Sequence, residues 1–584
     1  MSYVNFCIYK HKINPYSESL QIYPSVYTNR KIPEYKSHYI ILSGDVYNIK
    51  DIKERFAIKS SVAEEIILEL YFKVGEKTPN YLKGIFAIVV INSEKIILFR
   101  DYFSISSIYY YIDNTKNEFI ITNKIREIKK FMNLKVNVGV LPRFFLRTSL
   151  HIGDTFFENI RSLEFAQLLK LSIKDNKLIP IIYDDSFYKE IKNEHLKENT
   201  IISKTEDIIY KNIKEIVNYY ANCNVINALS GGVDSSYIQV LLKKIGFNKA
   251  YTFAHELLST GVIEYSTDIS KYLEIEHNVF KLKSEYIIDS IKNGILTCEV
   301  PYIFEAEFLE NYMYAHMSKK EGKDILITHG QGADAIFTYG RAFFILKYLN
   351  NPIFLSLFSL VNECFLKVFD FKEYKHNKTI IQKLKKKIID EELLYLLFDQ
   401  RYHGEFIKKA FSLENMYKMY SIDIERIRKF QIDFVEKLYR WRYDFDFKRA
   451  SFITYELCKQ YDLNVCFPYI DKELLFYMCS IPLSKKIRRL TDKFYKKKLL
   501  LKHLPSKFVY RKKIKTGDKN FLLLFNDGKI AEIIKAIKNS KYDYFNFDCE
   551  AIYSDEKYYG LAIKLINFYI WHKIFIENVD IKDI

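Results

Sequence analysis

The chain has 584 residues and a formal net charge of +17, with 49% hydrophobic and 28% charged residues and unusually many Tyr and Phe, 48 and 45. That length supports two or three domains, each with its own core, and the apolar and charged fractions are those of a soluble globular protein. Cysteines at Cys7, Cys223, Cys298, Cys364, Cys458, Cys466, Cys479 and Cys549 form no CxxC pair, which argues against a disulfide frame or a zinc site and for reduced, mostly buried thiols in a cytoplasmic protein.

Met1 to Lys12 carries polar residues throughout, so no signal peptide is expected. Runs of β-branched and aromatic residues at Tyr39 to Leu42, Ile85 to Ile91, Lys95 to Phe99, Ile108 to Ile112 and Phe119 to Thr122 predict strands, and the periodicity of Val62 to Phe72 predicts a helix between them. This order predicts a layered α/β domain. Asn176 to Thr200 is polar and lysine-rich and reads as an interdomain linker, followed by a helix over Ile201 to Tyr219. The expected units are a first domain over 1–185, a linker over 186–200 and a second domain over 201–584.

The second domain is organised around Asn227-Ala228-Leu229-Ser230-Gly231-Gly232-Val233-Asp234-Ser235-Ser236. Val225 to Leu229 reads as a buried strand. Tyr237, Val240, Leu241, Leu242 and Ile245 recur at helical spacing, and Gly246 is a stop signal. The loop between them therefore sits at a helix N-terminus, where adjacent glycines permit close backbone approach and N–H groups favour an anion. Ser230 and Ser235 add hydroxyl donors. Asp234 would repel a bare phosphate, so its presence implies Mg2+ between carboxylate and phosphate oxygens. The Lys-Ser/Thr ending of a Walker A loop is absent.

Alternation continues with strands over Ala250 to Ala254, His277 to Leu282 and Asp324 to Thr328, and helices over Val262 to Leu273 and Glu307 to Met317. This predicts a parallel, doubly wound sheet with ligands at the C-terminal strand ends. The last strand enters His329-Gly330-Gln331-Gly332-Ala333-Asp334, which places Asp334 at the same sheet edge as Asp234; the bland role for Asp334 is a helix N-cap. Phe343 to Tyr443 is predominantly helical. Within it, Pro352 to Phe369 is interrupted by Glu363 and Lys367 and reads as a buried or amphipathic helix, compatible with peripheral membrane contact but not with a span. Between Lys485 and Lys519, Lys485, Lys486, Arg488, Arg489, Lys496, Lys497, Lys498, Arg511, Lys512, Lys513 and Lys515 make a basic segment that reads mostly as a solvated helix face.

Ser230-Gly231-Gly232-Val233-Asp234-Ser235 resembles the PP-loop of ATP pyrophosphatases, which release pyrophosphate and transfer AMP to a substrate oxygen. Leu42 to Asn48, Leu82 to Ala87 and Arg100 to Phe103 followed by Ile108-Tyr109-Tyr110 resemble the glutaminase domain of asparagine synthetases, a class II amidotransferase with an αββα sandwich. Gly153 to Phe157 with Leu163 to Leu171 resembles the hairpin that ends this domain. The resemblance implies ATP and pyrophosphate binding by Leu229, Ser230, Gly231, Gly232, Asp234, Ser235 and Gly330, with Mg2+ on Asp234 and Asp334. It returns at Asn464 to Asp471 and at Leu504-Pro505 with Tyr510 to Lys513, and it aligns Lys513 with a catalytic lysine suited to the α-phosphate or an oxyanion.

The departures carry information. Members that hydrolyse glutamine present an N-terminal cysteine, whereas this chain reads Met1-Ser2-Tyr3; Ser43 and Asp45 replace the glutamine-binding Asn and Glu, and Cys7 reads as a core thiol. Gln331 replaces the acceptor-loop Glu and is expected to bind substrate without acting as a base, and Ala335 replaces a second acid. An inactive glutaminase fold follows, with an amine supplied by the substrate. The superfamily's macrolactam synthetases of lasso peptides and its β-lactam synthetases share that loss. The former implies a peptide substrate, a leader-binding protein and a leader peptidase; the latter implies a small amino acid derivative. Ammonia-dependent asparagine synthesis and a silent ATP-binding scaffold are the alternatives, and nucleic acid is not an expected partner.

Overall fold

The computed structural model describes residues 4–11, 25–29, 32–147, 149–191, 196–255, 260–301, 305–337, 386, 407, 409–432, 434–441, 443–486, 493–511, 528–540, 542–555 and 558–584. Its first half is built on eleven strands: β1 (Phe6–Lys10), β2 (Ser25–Thr28), β3 (Glu34–Tyr35), β4 (His38–Val46), β5 (Gly84–Ile91), β6 (Lys95–Arg100), β7 (Tyr109–Asp113), β8 (Glu118–Thr122), β9 (Ile160–Ser162), β10 (Gln167–Ser172) and β11 (Leu178–Ile182). They form two sheets, ordered β2-β1-β8-β7-β9 and β11-β10-β6-β5-β4-β3.

Alternation of side chains along each strand explains the layers. Phe6, Ile8, Phe119 and Ile121 from one sheet meet Ile41, Val89, Leu98 and Leu169 from the other. The opposite face of the second sheet, including Ile40, Leu42, Ile88 and Phe99, takes Ile66, Ile67 and Leu70 of the helix Ala63–Val74. The outer face of the first sheet, with Cys7, Tyr9 and Ile120, packs on Ile125 and Ile128 of a short helix. The result is the expected αββα sandwich. At its middle, β4 pairs with β5 from Tyr39↔Ile91 to Val46↔Gly84. Gly44 there has φ +104°, and a Cβ would sit 2.2 Å from the Ile85 carbonyl oxygen, so only glycine fits between Ser43 and Asp45.

Two sequence expectations need correction. β9 pairs with β7 in one sheet while β10 pairs with β6 and β11 in the other, so the segment around Gly153 to Leu171 crosses between sheets instead of forming a hairpin. The hairpin is β10–β11, and β11 falls inside the stretch read as a linker. Its composition misled because it is an edge strand carrying Pro180, with Ile179 and Ile182 roughly half exposed.

The second half has a parallel sheet of β12 (Asn224–Ala228), β13 (Lys249–His255), β14 (Glu276–Leu282), β15 (Ile325–Thr328) and β16 (Asn464–Cys466), ordered β14-β13-β12-β15-β16. From β12 the chain builds first to one side and then to the other, so the switch point lies between β12 and β15, where open α/β sheets bind ligands. Helices such as Leu413–Arg428, Tyr443–Gln460 and Tyr559–Phe575 complete the unit, and the core runs unbroken into the sandwich. Ion pairs cross between the halves: Lys124 to Glu456 at 2.5 Å and Arg126 to Glu299 at 2.8 Å. Among the described residues no helix is long and apolar enough to cross a membrane, and Pro352 to Phe369 lies outside them. Cys7, Cys298, Cys458, Cys466 and Cys479 are buried.

Candidate active site

The two loops that leave the switch point touch. After β12, Ser230 to Gly232 turns into the helix Val233–Lys244; after β15, His329 to Gly332 turns into a short helix at Ala333–Ile336. Thr328 Oγ1 donates to Asn227 Oδ1 at 2.9 Å, and Asn227 Nδ2 donates to the Ser235 carbonyl at 3.1 Å, which ties the two strand ends together. Gly330 lies against the start of the first helix, where a Cβ would come within 3.2 Å of Ser235 N.

The first loop is closed by its own hydroxyls. Ser235 Oγ accepts from Ser230 N at 3.1 Å and sits 3.1 Å from Ser230 Oγ, which accepts from Gly232 N at 3.3 Å. Gly231 has φ +69°, and a Cβ would lie 2.7 Å from Ser266 N, so this position is confined to glycine. Leu229 is 1% exposed; its N–H donates to the Tyr251 carbonyl at 2.8 Å and its carbonyl accepts from Thr252 Oγ1 at 2.5 Å.

Asp234 and Asp334 are brought together by an ammonium group. Lys493 Nζ lies 2.6 Å from Asp234 Oδ2 and also pairs with Asp334 Oδ1, while Lys496 Nζ lies 2.7 Å from Asp234 Oδ1. Asp334 does not cap its helix; Gly332 holds the N-cap position. Burial opposes ionisation of Asp234, yet Lys493 and Lys496 outweigh it and hold the carboxyl well below the usual range. Burial also works against the charge on Lys493, but Asp234 and Asp334 prevail and raise its pKa. Lys496, fully buried with its Nζ 3.4 Å above the Tyr469 ring, is pushed by burial down to about 7 against the pull of Asp234. Tyr469 Oη donates to the Asp234 carbonyl at 2.9 Å.

The Lys493 ammonium stands between the carboxylates as a divalent cation would. Among the described residues no three His, Cys, Asp or Glu side chains gather at one point. Two carboxylates alone suit Mg2+ that arrives on a phosphate chain, since Mg2+ is held by one or two carboxylates plus substrate oxygens.

Gln331 joins a second cluster. Its Nε2 donates to Thr454 Oγ1 at 2.8 Å, Thr454 Oγ1 donates to Glu310 Oε2 at 2.6 Å, and His329 Nε2 lies 3.3 Å from Glu310 Oε1. Lys513 lies outside the described residues. Of the basic residues named from the sequence, Arg488, Arg489, Lys512, Lys513 and Lys515 lie outside the described residues; Lys486 and Lys496 are buried and Lys485, Lys497, Lys498 and Arg511 half-buried, while Lys502 and Lys507 of the same stretch are exposed. Sequence reasoning missed Lys493, Lys496, Tyr469, Thr454 and Glu310. The i, i+3 spacing of Lys493 and Lys496 was the available signal, and Lys493 carries a left-handed φ of 52°.

In the sandwich, the positions that resemble a glutamine site are filled. Ser43 is fully buried, 3.3 Å from Asn123 Nδ2. Asp45 is 2% exposed, accepts from Tyr220 Oη at 2.9 Å and pairs with Lys459 at 3.4 Å.

Residues 31–183 match the glutamine amidotransferase domain family, and residues 220–438 and 456–556 match the asparagine synthase family. A Methanocaldococcus jannaschii protein named asparagine synthetase (glutamine-hydrolyzing) 2 is 24% identical over 51% of this chain and 58% of its own. Asparagine synthetase (glutamine-hydrolyzing) 2 of Bacillus subtilis is 20% identical over 50% of this chain and 42% of its own, and asparagine synthetase B (glutamine-hydrolyzing) of Escherichia coli is 20% identical over 52% of each. The chain spans about half the length of the curated relatives it matches.

Proposed function

The chain belongs to the asparagine synthase family, and from that premise we propose that it forms an amide bond with ATP, by macrolactam closure of a peptide precursor. A side-chain carboxylate attacks the α-phosphorus and pyrophosphate leaves. An amine of the same molecule then attacks the acyl carbon, and AMP departs.

The observation that carries this reading is the contrast between a furnished phosphate side and a filled glutamine side. Asp234, Asp334 and Lys493 converge at the sheet's switch point, whereas Asp45 is bonded across to Tyr220 and Lys459 and offers glutamine no free carboxylate. An amine from the substrate itself is consistent with both. Asp234 and Asp334 would hold Mg2+, which neutralises the departing pyrophosphate. Ser230, Gly231, Gly232 and Ser235 supply the phosphate cradle, Gly330 gives the ligand room at the second loop, and Lys493 offers its ammonium to the phosphates. The aromatic-rich composition favours a peptide over a small zwitterion, and a leader-binding protein and a leader peptidase are the partners such a substrate would bring. Ammonia-dependent asparagine synthesis is the second reading, favoured by the names of the relatives.

The test is Mg2+-dependent ATP–pyrophosphate exchange with short peptides bearing an internal Asp or Glu, with free aspartate, and with Asp234→Ala as control. Exchange with peptides alone, and a product lighter by one water, is the expected result. Exchange with aspartate alone replaces ring closure by asparagine synthesis, and exchange with neither overturns the proposal.

A further inference from the structure

Gln331 stands where the resembled family carries a glutamate, and an amide does not take a proton from an amine. Its surroundings contain groups that do. Glu310, on the helix Glu305–Glu321, is 1% exposed. A carboxylate only accepts hydrogen bonds, so the Thr454 hydroxyl must donate its one proton to Glu310 Oε2, at 2.6 Å. What Thr454 then offers Gln331, at 2.8 Å, is a lone pair. The amide nitrogen must therefore face Thr454, and Gln331 Oε1 is turned the other way. That oxygen is buried and has no hydrogen-bond partner among the described residues.

The second oxygen of Glu310 lies 3.3 Å from His329 Nε2, a charge contact without hydrogen-bond geometry. Both ring nitrogens of His329 are buried without a hydrogen-bond partner among the described residues. Phe253 and Phe467 flank the ring, with centroids 6.4 Å and 6.3 Å from it. A buried polar atom without a hydrogen-bond partner asks for an explanation, and a ligand that supplies the partner is one. Here such atoms of His329 and Gln331 sit two residues apart in the loop that leaves β15, beside Asp234.

We infer that Glu310 organises an amine-receiving pair, in which Gln331 Oε1 accepts an N–H of the incoming amine and a ring nitrogen of His329 takes its proton. The inference rests on the amide-forming reading above. The amine lone pair forms the C–N bond to the acyl carbon. The bond from that carbon to the phosphate oxygen breaks, AMP leaves with the electron pair, and the proton shed by nitrogen ends on the His329 imidazole. His329 and Gln331 touch the nucleophile, while Glu310 and Thr454 are positioning residues. The pair serves the second half-reaction only, since carboxylate attack on ATP requires no proton acceptor.

The experiment separates the half-reactions in the full-length chain. Pyrophosphate exchange reads adenylation, hydroxamate formation with hydroxylamine reads the acyl-adenylate through a nucleophile that needs no base, and amide product reads the natural attack. The acceptor is whichever peptide of the panel, or aspartate with ammonium, supports exchange in the parent. His329→Asn is expected to keep exchange and hydroxamate within ~3-fold of the parent and to lose ~100-fold in amide formation, the scale of general-base catalysis. Thr454→Val, nearly isosteric and less disruptive than Glu310→Gln, is expected to lose ~10-fold in amide formation alone, a fraction of that scale. Equal losses in hydroxamate and amide assign the cluster a structural role and overturn the inference, as does an unchanged amide rate. A parent silent in exchange with every acceptor removes the amide-forming reading and this inference with it.

Discussion

Asp45 and Asp234 are both contacted by lysine, and they illustrate two uses of a buried carboxylate. Asp45 lies where a resembling enzyme would receive glutamine, but Tyr220, Tyr219 and Lys459 of the second half reach it, and it now joins the halves. Asp234 lies at a helix start, 23% exposed, with Lys493 and Lys496 as neighbours that a ligand's cation can replace. The difference lies in what each acid joins: Asp45 bonds across between the two halves, whereas Asp234 and its buried lysines lie at the loop that leaves β12, beside Asp334.

The comparison breaks most sharply through Asp234→Ala, which is expected to reduce Mg2+-dependent pyrophosphate exchange by ~100-fold or more, the cost of removing a preorganised electrostatic contact. Exchange that survives it would put the phosphates elsewhere. Next in size is a pH effect in the sandwich. Burial raises the Asp101 carboxyl to about 6, against the N–H donors of Ile105 and Ser106. A raised folded-state pKa means that the native state binds the extra proton. Stability from this group is therefore complete below pH ~4, falls as pH rises through about 6, and changes by about 3 kcal/mol overall. Urea denaturation between those limits checks it, and Asp101→Asn should flatten the dependence.

Gly231→Ala is expected to cost about 2 kcal/mol, because φ +69° and the contact with Ser266 N both oppose a Cβ; thermal unfolding and exchange should fall together. Tyr220→Phe is the mildest change. It removes a hydrogen bond to Asp45 and should lower stability in urea by about 1 kcal/mol while leaving exchange intact. A loss of exchange would show that the joint and the site are coupled.

The parts legible in sequence are those encoded over short range. The loop after β12 has its strand, glycines, hydroxyls and helix within about twenty positions, and Asp334 follows its own strand directly. A layered α/β domain could be read from the β-branched and aromatic runs of β4 to β8 with a helix between them, and the αββα sandwich from the family resemblance. The edge strand β11 could not, because exposure and Pro180 erase the pattern. Lys493 and Lys496 meet Asp234 from about 260 positions away, and Glu310, Gln331 and Thr454 come from three separate elements. Such clusters exist only after folding. Charge composition also misled, since Lys486 and Lys496 count as surface in a sequence yet lie buried.

Lys493 and Lys496 give the loop after β12 the character of an ion exchanger. The acids there already have counter-ions on the chain. Under the proposed function a nucleotide entering with its metal would trade cation for cation instead of meeting bare negative charge, and the displaced lysines would stay tethered beside the polyphosphate.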